Sequence, residues 1–175
     1  VLDEGSDAHP VSKEMIRSLQ YRDARPLASA LRDFVDVERI RDAGLNVAVD
    51  SMYGAGAGYF SKLLEGGNTR LVELRGERDP EFPGLAQPEP IAANLAAMIE
   101  QVLDSNADVG LATDGDADRL GVVDENGRFV TTLEVFALLC MHLLENTGQS
   151  GPLVRSITMT SMIDRLGALY DVPVF

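Results

Sequence analysis

Two apolar runs, ADVGLAT (107–113) and RLGVVD (119–124), stand only five residues apart. A parallel crossover needs a dozen residues or more, so these two strands can pair directly only as antiparallel neighbours. The earlier apolar runs, LNVAVD (45–50) and TRLVEL (69–74), have room for crossovers. After the first, SMYGAGAGYFSKLLEGG turns through glycines into a helix of two or three turns, closed by Gly66 and Gly67. After the second comes a loop, RGERDPEFPGLAQPEP (75–90), with four prolines and two glycines. Then AANLAAMIEQVLDSN sets Leu95, Met98, Ile99, Val102 and Leu103 on one helical face. ENGR makes a tight turn into FVT. This order implies an α/β fold: a three-layer α/β/α domain on a mixed, mostly parallel four-stranded sheet with an antiparallel edge.

The flanks give the domain organisation. Residues 1–25 are polar and mixed, with VSKEMIRSLQ a helix capped by Ser12, and read as a linker or the tail of a preceding domain. Pro26 opens the helical stretch LASALRDFVDVERIRDAG, whose Leu27, Leu31, Phe34, Val35 and Ile40 recur at helical spacing up to Gly44. The α/β/α domain then spans 26–128. From 129 to 175 the grammar repeats: helix TLEVFALLCMHLLENTG, strand GPLVRSIT, helix MTSMIDRLGALYD and the beginning of a strand in VPVF. That tail is expected to be the truncated start of a second α/β domain.

Charge narrows the function. The chain carries 28 acidic residues against 15 basic ones, and −11 of its net −13 falls within residues 45–150. Such a field repels nucleic acid and anionic membrane, so neither is an expected partner, and it favours a cation. No apolar run nears the ~20 residues that span a bilayer, and no leader of the secretory kind opens the sequence. A cytoplasmic protein is the expectation. The single cysteine, Cys140, lies in an apolar helical pattern and reads as a buried, inert thiol. No feature sets an oligomeric state.

The five residues between the two close strands hold Asp114, Asp116 and Asp118 on alternate positions, with Arg119 next. Like charges so near one another repel unless water or a cation relieves them. Asp114 falls at the carboxyl end of a strand, where open α/β sheets bind ligands. Oxygen-only donors suit a hard cation, Mg²⁺ or Mn²⁺, better than zinc. An arginine beside such a metal can hold a phosphoryl group from its other side. Three rival readings stand beside this one. The loop is a solvated acidic turn. It is a calcium loop with Glu125 twelfth, although the sixth position is Arg119 rather than glycine and the flanks are strands. Or it belongs to a phosphatase with an aspartate nucleophile, which also sets Asp-x-Asp after an apolar strand.

DSMYGAGAGYF invites a nucleotide reading, since amides at a helix start hold phosphate. In the dinucleotide pattern G-x-G-x-x-G the third glycine would fall where Tyr59 stands after Gly54, Gly56 and Gly58. Glu73 lies near the place of a ribose-binding acid. A nucleotide-binding oxidoreductase domain is therefore a lesser alternative. The favoured reading is that the glycines let helix and strand approach closely, and that Asp50 orders the turn.

LATDGDADRLGVVDENGRFV, DSMYGAGAGYF and EFPGLAQPEPIAANL, with the last lying between the other two, resemble the α-D-phosphohexomutase superfamily, the phosphoglucomutase and phosphomannomutase enzymes. The resemblance covers roughly residues 27–175, as that family's second domain and, in VRSITMTSMIDRLGALYDVPVF, the opening of its third. It implies a four-domain intramolecular phosphotransferase that moves phosphate between O1 and O6 of a hexose through a phosphoserine and a bisphosphorylated sugar. It implies that Asp114, Asp116 and Asp118 are Mg²⁺ ligands, with the phosphoserine phosphate completing the shell, and that Arg119 is catalytic and contacts the reacting phosphate. The substrate would be a hexose phosphate; segments that tell glucose, mannose and glucosamine apart lie outside these residues. The family's Ser-His-Asn-Pro nucleophile motif is absent, since His9-Pro10 lacks the serine and asparagine and reads as an ordinary loop. Gln87-Pro88 stands where many members have His-Pro. The 175 residues alone are thus expected to be inactive, and a stand-alone divalent-cation-binding module is the reading from another class.

Overall fold

The computed structural model describes residues 35–148 and 151–175. The helix expected over VSKEMIRSLQ, the first part of the stretch after Pro26, and His9-Pro10 lie outside the described residues. What remains of that stretch is α1, Val37–Asp42, after which Gly44 turns the chain at a φ of 73°. There follow β1 (Asn46–Asp50), α2 (Tyr59–Leu64), β2 (Arg70–Leu74), a 3₁₀ turn at Ala92–Asn94 and α3 (Ala96–Ser105). Then come β3 (Val109–Thr113), β4 (Leu120–Asp124), β5 (Phe129–Val130), α4 (Thr132–Glu145) and α5 (Met162–Tyr170).

The five strands form one sheet in the order β2-β1-β3-β4-β5. β1 is parallel to both β2 and β3, and β3 is antiparallel to β4, as the five-residue spacing requires. The four-stranded expectation gains a fifth strand. Phe129 and Val130 pair with Val123 and Val122, which covers what would otherwise be the open edge of β4. The ENGR turn makes this possible. Asp124 Oδ1 accepts from the backbone N–H groups of Asn126 at 3.1 Å and Arg128 at 2.8 Å, which folds the chain back on itself.

β1 is buried on both faces, with Val47, Ala48 and Val49 all sequestered, as expected of a central strand covered on two sides. On one face α3 supplies Met98 and Val102 to a core with Ala48, Met52, Leu95, Ala107, Ala112 and Val123. The single helix expected from Ala92 to Asn106 is broken at Leu95. The Asn94 side chain explains this: it donates back to the carbonyls of Gln87 at 3.0 Å and Glu89 at 2.9 Å, tying the helix start to the preceding loop. α3 ends at Asn106, left-handed at φ 48°, with the Ala107 N–H returning to Val102 O at 2.9 Å.

α4 begins one residue after β5 on a reciprocal cap. Thr131 Oγ1 accepts from the Glu134 N–H, and Glu134 accepts from the Thr131 N–H at 2.8 Å. α4 and α5 enclose a second, separate core of Ala137, Cys140, Ile163 and Leu166. Cys140 is buried there, and burial pushes its thiol up, as the inert reading of that cysteine anticipated. The strands expected over GPLVRSIT and VPVF amount to one parallel bridge, Leu153 to Val174. Pro173 has no N–H to give, so the ladder does not extend in the N-terminal direction on that strand. Among the described residues no helix is long and apolar enough to cross a membrane.

The hairpin and the α4 cap both depend on ionised carboxylates. The Arg128 backbone N–H, foremost among its donors, holds Asp124 below the usual carboxylate range. The Thr131 backbone N–H does the same for Glu134. A group lowered in this way stabilises the folded chain above its unfolded value and loses that contribution as pH falls through the folded one. The melting temperature is therefore expected to fall as pH is lowered from about 5 to about 3. Asp124→Asn should flatten that part of a calorimetric profile; an unchanged slope would contradict this account.

Candidate metal centre

Asp114 follows the last residue of β3 and is fully buried, while Asp116 and Asp118 are exposed. A buried carboxylate needs donors, and the loop supplies them. Asp114 Oδ1 accepts the backbone N–H of Asp118 at 2.9 Å and of Arg119 at 3.1 Å. Its Oδ2 accepts from Arg119 Nε at 2.6 Å. To bring these amides round, Ala117 adopts a left-handed φ of 64° and donates its N–H to Asp114 O at 3.2 Å. The loop therefore folds around its own first aspartate.

One oxygen from each of Asp114, Asp116 and Asp118 lies within 4.8 Å of the others. A hard cation with bonds of about 2.0–2.1 Å sets its ligand oxygens roughly 3–4 Å apart. The donor set is all carboxylate and needs only a small closure, so these residues fit such an ion in chemistry and in spacing.

The electrostatics point the same way. Burial pushes Asp114 up, but the Arg119 backbone N–H, the Arg119 side chain and the Asp118 donors together outweigh it and hold the carboxyl below its usual range. Asp118 is pushed up, first by the hydrogen bond it shares with Asp114 and then by the charges of Asp116 and Asp114. One carboxylate of the set is satisfied and another is under repulsion, which a cation would relieve. Arg119 also bonds Glu89 Oε1 through Nη1 at 2.8 Å, and Glu89 and Asp114 together push its guanidinium up, so it stays charged.

The carboxyl end of β1, next to that of β3 in the sheet, is built on the same plan. Asp50 is fully buried, accepts the Met52 N–H at 3.0 Å and is gripped by Arg75 through Nε at 2.8 Å and also through Nη2. Asp50 thus orders the turn, as the sequence reading held, and Met52 and Tyr53 take left-handed φ values of 44° and 60° there. Glu73, the residue placed where a ribose-binding acid would sit, serves the turn itself. Its Oε1 accepts from Ser51 Oγ at 2.7 Å and the Gly58 N–H at 2.8 Å, and its Oε2 accepts from Ser61 Oγ at 2.9 Å. Amide and acid that a nucleotide would use are spent on each other.

Arg75 and Glu89 escaped the sequence reading. Arg75 lies one residue beyond Leu74, the register partner of Asp50, so only the strand pairing reveals it. Glu89 is 30 positions from Arg119 and is brought there by the proline-rich loop. That loop also reaches the aspartate loop through Pro88, whose carbonyl accepts the Gly115 N–H at 3.1 Å.

Residues 26–127 match the family described as phosphoglucomutase/phosphomannomutase, alpha/beta/alpha domain II. A phosphoglucomutase/phosphomannomutase of Thermococcus kodakarensis is 36% identical over 159 residues, which is 90% of this chain and 34% of that protein. A candidate phosphoglucosamine mutase of Methanopyrus kandleri is 36% identical over 138 residues, 75% of this chain and 30% of its own length. Among solved structures, a candidate phosphomannomutase of Thermus thermophilus superposes with a TM-score of 0.79 at 32% identity, over 87% of this chain and 35% of that one. The chain spans about a third of the length of the proteins it matches.

The Asp50–Arg75 pair is the buried anchor of the turn, with the arginine side chain 15% exposed and the aspartate wholly enclosed. Removing one partner of such a pair leaves the other charge buried alone and costs about 3–5 kcal/mol. Arg75→Met should therefore lower the unfolding free energy by about that amount in urea titrations. A loss below about 1 kcal/mol, the worth of an exposed pair, would count against this role.

Proposed function

The chain belongs to the phosphoglucomutase/phosphomannomutase family, and on that premise we propose that it is the cation-binding part of a phosphohexomutase, an enzyme interconverting hexose 1-phosphate and hexose 6-phosphate. The observation that carries this reading is the three-carboxylate set at the end of β3, with its oxygens within 4.8 Å and a charged arginine fastened beside it. In this reading residues 26–128 form the cation-binding domain and 129–175 begin the next one. The two separate cores, one under α3 and one between α4 and α5, support a division near that point, with β5 and Phe129 on the side of the first core. The family assignment supports a hexose phosphate as the substrate.

Asp114, Asp116 and Asp118 would hold Mg²⁺, or Mn²⁺ in its place. When bound, the ion would neutralise charge on a phosphoryl group and polarise one of its oxygens. Arg119 presents a permanent positive charge beside that position, held in orientation by Asp114 and Glu89. Asp114 is the fixed member of the set, enclosed and bonded, whereas Asp116 and Asp118 are exposed and can adjust to the ion and its other ligands. The nucleophile is supplied from elsewhere, because no Ser-His-Asn-Pro motif occurs in the 175 residues.

Titration with Mn²⁺, followed by its paramagnetic resonance signal and by calorimetry, tests the site. The unchanged chain should bind one ion that Mg²⁺ displaces, and Asp116→Asn should weaken it about 10-fold or more. Because Asp118 is raised above the ordinary aspartate value, affinity should decline as pH falls through that raised value, before an ordinary aspartate would protonate. Equal affinity for Asp116→Asn would remove the cation reading. In a coupled assay the 175-residue chain should show no hexose-phosphate isomerisation; turnover would overturn the assignment of a partial catalytic apparatus.

A further inference from the structure

The turn after β1 and the aspartate loop after β3 are joined through main chain. Ala55 donates its N–H to the carbonyl of Gly115 at 2.9 Å. Gly115 is the residue between Asp114 and Asp116, and its own N–H goes to Pro88 O. Both polar groups of this residue are thus taken by neighbours from two other segments, one on each side. The glycines of the turn make the approach possible. A Cβ on Gly54 would lie 2.6 Å from Gly115 O and 2.8 Å from Asp114 O, which are backbone atoms of the aspartate loop itself. A Cβ on Gly56 would lie 2.8 Å from Thr113 Oγ1, on the residue immediately before Asp114. Neither glycine has a positive φ, so what excludes a side chain at both positions is proximity to the aspartate loop and not backbone conformation.

We propose that Gly54, Ala55 and Gly56 are positioning residues for the cation site: the turn presses on Thr113 and Gly115 from one side while Pro88 holds Gly115 from the other, and together they fix the main chain that carries the carboxylates before any ion arrives. This rests on the cation reading of Asp114, Asp116 and Asp118. It gives the glycine turn a task in the chemistry without any phosphate or nucleotide bound on it. The buried Thr113 hydroxyl, which has no hydrogen-bond partner among the described residues, is the atom that faces Gly56.

Interiors are packed closely enough that a methyl group with no space for it displaces its neighbour. Gly56→Ala should therefore push Thr113 and shift the first carboxylate. Thr113→Ala removes the obstructing oxygen, and the remaining neighbours of the new methyl, Ala117 Cβ at 3.5 Å and the Cβ of residue 113 at 3.7 Å, are at ordinary contact distance. Four proteins settle the matter by Mn²⁺ titration, resonance line shape and melting temperature: Gly56→Ala, Thr113→Ala, the double variant, and Asp116→Asn. Gly56→Ala should weaken Mn²⁺ about 10- to 100-fold, the size of effect expected for residues that orient metal ligands. Thr113→Ala loosens one contact without forcing the loop aside, so it should weaken Mn²⁺ less than Gly56→Ala does, and the double variant should recover affinity and line shape to the Thr113→Ala level. A Gly56→Ala chain that binds Mn²⁺ normally, or a double variant that regains melting temperature without regaining affinity, would overturn the proposal. So would a Gly56→Ala chain that fails to fold together with a folded double variant that binds poorly. If Asp116→Asn itself leaves affinity intact, the cation reading fails and this positioning role falls with it. If Asp116→Asn loses the ion while Gly56→Ala keeps it, only the positioning role is lost.

Discussion

A carboxylate shut away from water must be met by donors or it will not stay ionised, and Asp114 shows how much structure follows from that single demand. Its two oxygens take two backbone amides and one guanidinium nitrogen. To deliver those amides the chain must reverse within five residues, which forces the left-handed step at Ala117 and makes β4 antiparallel to β3. To deliver the guanidinium, Arg119 must lie back across the loop, where Glu89 takes its other end. Asp50 imposes the same demand one strand away and draws in Arg75 and the left-handed pair Met52 and Tyr53. Two adjacent parallel strands therefore each end in a buried acid held by an arginine. The loops between those strand ends and the next elements are fixed in consequence, at the carboxyl ends of the strands where such folds usually place their ligands.

Much of this was legible from residue order. The five-residue gap dictated the antiparallel pair, and alternating aspartates at a strand end marked the candidate site. Other features were hidden for physical reasons. β5 is only two residues long and carries no periodicity of its own; the Asp124 side chain creates it by closing the ENGR turn. The break at Leu95 comes from Asn94, a weak helix former whose amide reaches back to two loop carbonyls that only the fold brings near. GPLVRSIT has the composition of a strand, yet it meets VPVF over a single bridge, and on the N-terminal side of that bridge Pro173 has no amide to continue the ladder.

The site residues divide in the same way. Asp114, Asp116, Asp118 and Arg119 are neighbours in sequence, so their proximity needed no fold to be seen. Glu89 and Pro88 come from a loop whose composition said only that it was irregular, and whose path is set by its ties to Asn94 and Gly115. Glu73 is the instructive case. Its position after a glycine-rich turn fits a ligand-binding acid as well as it fits a helix cap. Only the three donors already on its oxygens separate the two.

Cys140 has a practical consequence. It is the chain's single thiol, enclosed between α4 and α5 and biased toward its protonated form. Thiol-directed probes react through the thiolate and need access, so they will largely pass it by. A cysteine introduced on an exposed position can then be labelled on a nearly silent background, which opens the turn and the aspartate loop to spectroscopic rulers without first mutating the interior.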